Sequence, residues 1–145
     1  MSGCRSVVAT AGGASRCRWR IVRLSCPTGQ VCVLCVAGEV DRTSMGLLRA
    51  GLAKAFTGRP DHVMIDLAEM SFCSAQGMDE LVEAGRWASD SGVDYRVSGA
   101  SRQVERCWSH LWAADLLPAR FPNAKAALLA IGVQPDAGSD DQAVG

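Results

Sequence analysis

Residues 64–85 read MIDLAEMSFCSAQGMDELVEAG, and this stretch decides the fold. It begins as an apolar run, Met64-Ile65-Asp66-Leu67, suited to a buried strand. It passes through a short polar turn, Ser74-Ala75-Gln76-Gly77. It then continues with Met78, Leu81, Val82 and Gly85 at the spacing of one helical face. A strand that hands over to a helix through a polar turn is the repeating unit of a parallel α/β sheet. Ligands and partners of such sheets meet the loops beyond the strand C-termini.

The same alternation extends outward in both directions. WRIVRLS, 19–25, alternates apolar and polar residues and predicts a half-buried strand. CPTGQ supplies a Pro-Gly turn, and VCVLCVAG, 31–38, predicts a buried strand, so the two strands form a hairpin. After GEVDRTS, Leu48, Leu52, Ala55 and Phe56 mark a first helix, which Thr43 or Ser44 can cap. HVMIDL, 62–67, is a strand, which AEMSFC continues or leaves; a second helix runs from about 76 to 91, with Gly92 as its stop. VDYRVSG is the next strand. A third helix spans about 101–113 on the stripe Val104, Cys107, Trp108 and Leu111. LLPARFP is a short edge element, because Pro118 bars a central position. NAKAALLAIG closes with a helix capped by Asn123 and stopped by Gly132. The prediction is an α/β single domain over residues 18–132. Its central sheet is mostly parallel after an N-terminal hairpin, with about four helices. Residues 1–17 are expected as a disordered basic arm and 133–145 as a disordered acidic tail.

Composition narrows the function classes. The 145 residues carry fifteen bases and fifteen acids, so the whole molecule offers no electrostatic drive toward nucleic acid or membrane. No apolar run reaches the ~18 residues of a membrane span. The N-terminus lacks a secretory apolar core, and a cytoplasmic protein is expected. The seven cysteines suggest no paired framework. Cys32 and Cys35 form a CxxC, but on a strand they point to opposite faces, which argues for core packing over redox or metal chemistry. His62 and His110 have no ligand-like spacing to them. No catalytic set and no phosphate-cradling glycine loop emerges. A non-enzymatic protein without cofactor or metal is the expectation.

Four segments, VAGEVDRTS, VMIDLAEMSFCSAQGMDELVEAG, VDYRVSGASRQVERCW and LPARFPNAKAAL, together resemble the STAS domain of bacterial anti-sigma factor antagonists. The likeness covers residues 18–132. It rests most on Gly38-Glu39-Val40-Asp41 and on the Ile-Asp-Leu strand leading to the turn closed by Gly77. It implies a binding module of STAS-like fold. Such modules bind an anti-sigma factor, commonly a protein kinase for serine, and so free a sigma factor for transcription. The kinase phosphorylates the residue just before the turn's glycine and breaks the complex. The resemblance implies a partner-binding set of Glu39, Asp41, Ser74, Ala75, Gln76, Gly77 and Met78.

This sequence departs from that pattern at the switch. Gln76 occupies the acceptor position, and a primary amide cannot take a phosphoryl group as a hydroxyl can. Ser74 stands where the family has aspartate, and Ala75 where it has its first serine. Ser74 has three readings: a helix N-cap, a displaced phosphorylation site near a helix dipole, and a polar partner contact. Gln76 reads as a solvated first-turn residue or as a neutral stand-in that keeps the module able to bind. Glu39 and Asp41 have a local role as dipole and turn partners beside the docking one. Met78 fits the helical core stripe as well as an exposed anchor, and Trp87 and Trp112 fall off the main stripes. A non-phosphorylated STAS-type subunit of a transport assembly is the alternative function. The partner's identity and the oligomeric state stay open.

Overall fold

The computed structural model describes residues 6–11, 16–111 and 119–133; the side chains of residues 6–9, 11, 107–109 and 111 are outside the description. The described residues form six strands: β1 (Ser6–Ala11), β2 (Cys17–Cys26), β3 (Gly29–Val40), β4 (His62–Cys73), β5 (Asp94–Ser98) and β6 (Ala119–Phe121). Four helices accompany them: α1 (Met45–Phe56), α2 (Ala75–Ser91), α3 (Arg102–Leu111) and α4 (Ala124–Ala130). All six strands lie in one sheet in sequence order. β1–β2 and β2–β3 pair antiparallel, and β3 through β6 run parallel. This is the predicted mostly parallel α/β sheet entered through a hairpin.

Apolar residues separate cleanly onto the two faces. On one face, α1, α2 and α3 cover the sheet, with Leu48, Leu52, Met78, Leu81 and Val104 packed against Trp19, Ile21, Leu34, Ile65, Leu67 and Val97. On the other, α4 covers Leu24, Val31, Val33 and Met64 with Ala127, Ile131 and Val133. The buried Tyr95 hydroxyl donates to the Leu81 carbonyl at 2.9 Å, and the Trp19 indole donates to the Leu47 carbonyl at 2.9 Å. These two bonds tie α2 and α1 to the strands beneath and satisfy polar groups that burial would otherwise strand.

Cys32 and Cys35 fall on opposite faces, as strand alternation requires. Cys32 is fully buried in the larger core, and Cys35 packs beside the smaller one. Burial, then the nearby Asp66 carboxylate, push the Cys35 thiol up to about 11. Thiolate is scarce there at neutral pH, so the pair acts as packing material.

Three boundaries differ from expectation. The disordered arm expected over residues 1–17 gives way at Ser6–Ala11, which add an edge strand to β2. Val7, Val8 and Thr10 are β-branched and suited to that ladder. Cys17 and Val133, beyond the expected limits 18–132, are both buried. Residues 1–5, 12–15 and 134–145, with most of the expected arm and tail, lie outside the described residues, as do Trp112 and Pro118. Ser44 holds the N-cap position of α1, as expected, but makes no side-chain cap bond there. Asp41 caps a single 3-10 turn, Arg42–Ser44, that leads into α1. One carboxylate oxygen, Asp41 Oδ1, accepts from both the Thr43 and the Ser44 amides.

Candidate functional site

Parallel pairing sets the site. The C-terminal ends of β3 and β4 lie side by side, with Val40 opposite Cys73. The chain leaves β3 into Asp41 and leaves β4 into Ser74, so both loops open at the same end of the sheet. The Ser74 amide donates to the Val40 carbonyl at 2.8 Å and fixes their separation.

Two glycines make the approach feasible. Gly38 has φ of +90°, and a Cβ there would lie 1.8 Å from the Arg16 carbonyl oxygen. Only glycine fits that backbone and that contact. A Cβ on Gly77 would come within 2.8 Å of both Cys73 Sγ and Val40 Cγ1. The first turn of α2 therefore packs directly onto the end of β3 because residue 77 has no side chain.

The first loop is held by its own hydrogen bonds. Asp41 Oδ1 accepts from the Thr43 amide at 2.9 Å, the Ser44 amide at 3.2 Å and the Thr43 hydroxyl at 2.7 Å. The Ser44 hydroxyl accepts from the Asp41 amide at 2.9 Å, completing a capping box. These bonds, with the Thr43 hydroxyl foremost, hold the Asp41 carboxyl below the usual carboxylate range. Asp41 is thus a fixed anion at neutral pH. Glu39 accepts from the Arg16 guanidinium at 3.0 Å, and its amide donates to the Arg16 carbonyl at 3.1 Å. This exposed ion pair contributes little to stability but lowers the net negative charge beside Asp41.

The second loop is a helix start. Ser74 is the N-cap of α2, and its hydroxyl accepts from the Gly77 amide at 3.1 Å. Ala75 and Gln76 follow as exposed residues in the first turn. Glu80, one turn on, accepts from Arg49 at 2.8 Å and ties α2 to α1.

The structure brings Glu39, Asp41, Ser74, Ala75 and Gln76 to one end of the sheet with accessible surface. It removes two residues from the set expected to contact a partner. Met78 is fully buried in the larger core, and Gly77 is buried against β3 and β4. Both support the surface from beneath. Helical spacing puts Met78 on the same inward stripe as Leu81 and Val82, and that stripe prevails.

Sequence reading missed two neighbours of this surface. Arg16 falls outside the expected domain, 18–132, yet it bonds Glu39. Phe72 sits opposite Glu39 in the β3–β4 ladder and is 43% exposed. Register shifts along β4 disturb its alternation, so no simple two-residue period marked Phe72 as outward-facing.

Among the described residues, no three His, Cys, Asp or Glu side chains lie close enough to hold a metal ion. His62 bonds Asp94 at 2.7 Å and Thr28 at 2.8 Å at the opposite end of β4. No described helix is long and apolar enough to cross a membrane.

No protein-family model matches the chain, and no curated protein is significantly similar to it. Solved structures do match. An anti-sigma factor antagonist from Mycobacterium paratuberculosis superposes with a TM-score of 0.60 at 23% identity, over 70% of this chain and 85% of that one. The anti-sigma factor antagonist SpoIIAA in its unphosphorylated form gives 0.57 at 17% identity, over 70% of this chain and 87% of that one. SpoIIAA is also matched in its phosphorylated form. SLC26A9 gives 0.54 at 16% identity, over 71% of this chain and 20% of that one. The chain therefore has the SpoIIAA-like, STAS fold that its sequence resembles.

Proposed function

We propose that this protein is an anti-sigma factor antagonist-like regulator acting by docking and without catalysis. Its end-of-sheet surface of Glu39, Asp41, Ser74, Ala75 and Gln76 engages an anti-sigma factor of the kinase type. That occupation frees a sigma factor, and transcription follows. The compartment is the bacterial cytoplasm. The single observation that carries this reading is the Ser74–Val40 bond, which joins two separate loops into one surface on a fold that antagonists share.

Gln76 defines how this module differs from a phosphorylated one. It is exposed in the first turn of α2, where a phosphoryl group would sit on the proposed docking surface. A phosphate adds about −1.5 to −2 charge, and that repulsion is lost when the acceptor is an amide. The Ser74 hydroxyl already serves as the cap of α2, accepting from the Gly77 amide, which favours the capping reading over a displaced acceptor. The module stays competent to bind whenever it is present, and control passes to its abundance or to its partner.

The test uses purified kinase-type anti-sigma factors from the source organism, each in complex with its sigma factor. Added protein displaces sigma factor from one of them, and ATP does not reverse the displacement. Failure to bind any of them removes the reading. A second reading rests on the match to SLC26A9: a non-phosphorylated regulatory subunit of a transport assembly. Co-purification with transport components and with no anti-sigma factor would favour it.

A further inference from the structure

We infer that Thr28, His62 and Asp94 form an acyl-accepting site, at which Thr28 takes a small acyl group from an activated ester. The site stands at the opposite end of the sheet from the docking loops, so the inference is independent of the docking reading.

Three neighbouring strands bring these residues into one row. Thr28 lies in the turn between Cys26 and Gly29, the pair that closes the β2–β3 hairpin. His62 begins β4, opposite Val31 on one side and opposite Asp94, the first residue of β5, on the other. The turn is pinned to the start of β4. The Gln30 amide donates to Asp61 Oδ2 at 2.8 Å, and the Asp61 amide donates to the Gln30 carbonyl at 3.0 Å.

The side-chain hydrogen bonds run in one direction. Asp94 Oδ2 lies 2.7 Å from His62 Nδ1 and 2.6 Å from Arg96 Nε. A carboxylate paired with a guanidinium only accepts, so Nδ1 carries a proton, and in the neutral ring Nε2 is left as the acceptor. Thr28 Oγ1 lies 2.8 Å from Nε2, so its hydroxyl donates there. With that proton committed, Thr28 Oγ1 accepts from the Cys26 thiol at 3.2 Å. Nucleophile, base and orienting carboxylate thus follow one another within hydrogen-bond reach. The His62 side chain is only 12% exposed, whereas Thr28 is exposed. The base is shielded from water, and the hydroxyl is open to a reagent.

In the reaction, Thr28 Oγ1 attacks the ester carbonyl carbon while His62 Nε2 takes the hydroxyl proton. The tetrahedral intermediate collapses, the bond to the ester oxygen breaks, and the alcohol leaves with that electron pair and the proton from His62. A threonyl ester remains on the chain, so the site is modified and does not turn over. Asp94 is a positioning residue, which acts by fixing the tautomer of His62.

The test incubates the full chain with p-nitrophenyl acetate, strips cysteine thioesters with neutral hydroxylamine and locates acetyl groups by peptide mass spectrometry. Thr43 and Thr57 serve as comparators within the same molecule, being exposed hydroxyls that donate to Asp41 and to the Ala53 carbonyl instead of an imidazole. Acetyl on Thr28 exceeds that on either by about tenfold or more. His62→Gln slows acetylation of Thr28 about 100-fold, the low end of what a positioned base contributes. Asp94→Asn, whose amide can donate to Nδ1 and reverse the tautomer, slows it as well. Thr28→Ser is acetylated at residue 28. Thermal melts establish that each variant is folded. Equal acetylation of the three threonines in the wild type, or an unchanged rate at Thr28 in folded His62→Gln, overturns the assignment.

Discussion

The amide of Ser74 reaches the carbonyl of Val40 across 2.8 Å, so the residue that caps α2 is bonded to the last residue of β3. One hydrogen bond therefore links the end of one parallel strand to the start of the helix that follows its neighbour. The loops around Asp41 and Gln76 inherit their relative position from this link. Its surroundings make the first predictions.

Gly77→Ala should destabilise the fold. The added methyl meets Cys73 Sγ and Val40 Cγ1 at 2.8 Å, and neither belongs to a long flexible side chain. Overpacking of this kind costs about 1–3 kcal/mol, against a gain of up to ~1 kcal/mol from better helix propensity. Overpacking prevails. Urea unfolding should show a lower midpoint with an unchanged slope. A midpoint at or above wild type would mean that α2 is not seated on β3.

Ser74→Ala removes the acceptor for the Gly77 amide and should cost about 1 kcal/mol. Ser74→Asp keeps an acceptor and adds a charge favourable to the helix N-terminus, so it should match or exceed wild type. Equal stability of all three would remove the capping role.

Acid titration separates two carboxylates of opposite sign. Asp41 has a depressed folded value, so its contribution is present above its unfolded value and is lost as pH falls through the folded one. Asp66 has a raised folded value, chiefly from burial, so the folded state binds its proton more firmly than the unfolded state does. Its ionised form therefore burdens the fold at neutral pH, and that burden lifts as pH falls through the folded value. Asp66→Asn should be the more stable protein at pH 7 and lose its advantage in acid. Asp41→Asn should flatten the acid limb of the stability profile. Parallel profiles for wild type and both variants would contradict these assignments.

Gln76→Ser restores a hydroxyl at an exposed first-turn position. Incubation with the bound kinase-type anti-sigma factor and ATP should then phosphorylate residue 76 and release the complex. The wild-type peptide spanning residues 64 to 86 should stay unmodified by mass spectrometry. Phosphate on Ser74 of the wild type would instead reveal a displaced switch.

Much of this was legible in the sequence, for physical reasons that differ by element. The α2 stripe of Met78, Leu81 and Val82, the Asn123 cap of α4 and the stop at Gly92 are local signals, and each appears where periodicity and capping placed it. The neighbouring position of the two loops follows from parallel topology, which the strand–helix alternation encodes. The Asp41 cap was less legible, because Asp41, Thr43 and Ser44 all carry a side-chain oxygen within four positions and only geometry chooses between them. Edge strand β1 depends on pairing with distant β2, and its own short run carries no strong period. The neighbours of the site were hidden for the same reason. Arg16 meets Glu39 across 23 positions, and Phe72 lies on a strand whose register shifts erase alternation. Met78 shows the converse: resemblance placed it on the surface, while its helical phase placed it in the core.

Backbone amide hydrogen exchange, measured on this chain alone and in complex with a kinase-type anti-sigma factor, tests the central claim most directly. One surface built from two loops predicts simultaneous slowing of exchange across residues 39–43 and 72–77, with α4 unchanged. Slowing confined to α4 or to the β1–β2 edge, with both loops exchanging as in the free protein, would contradict it.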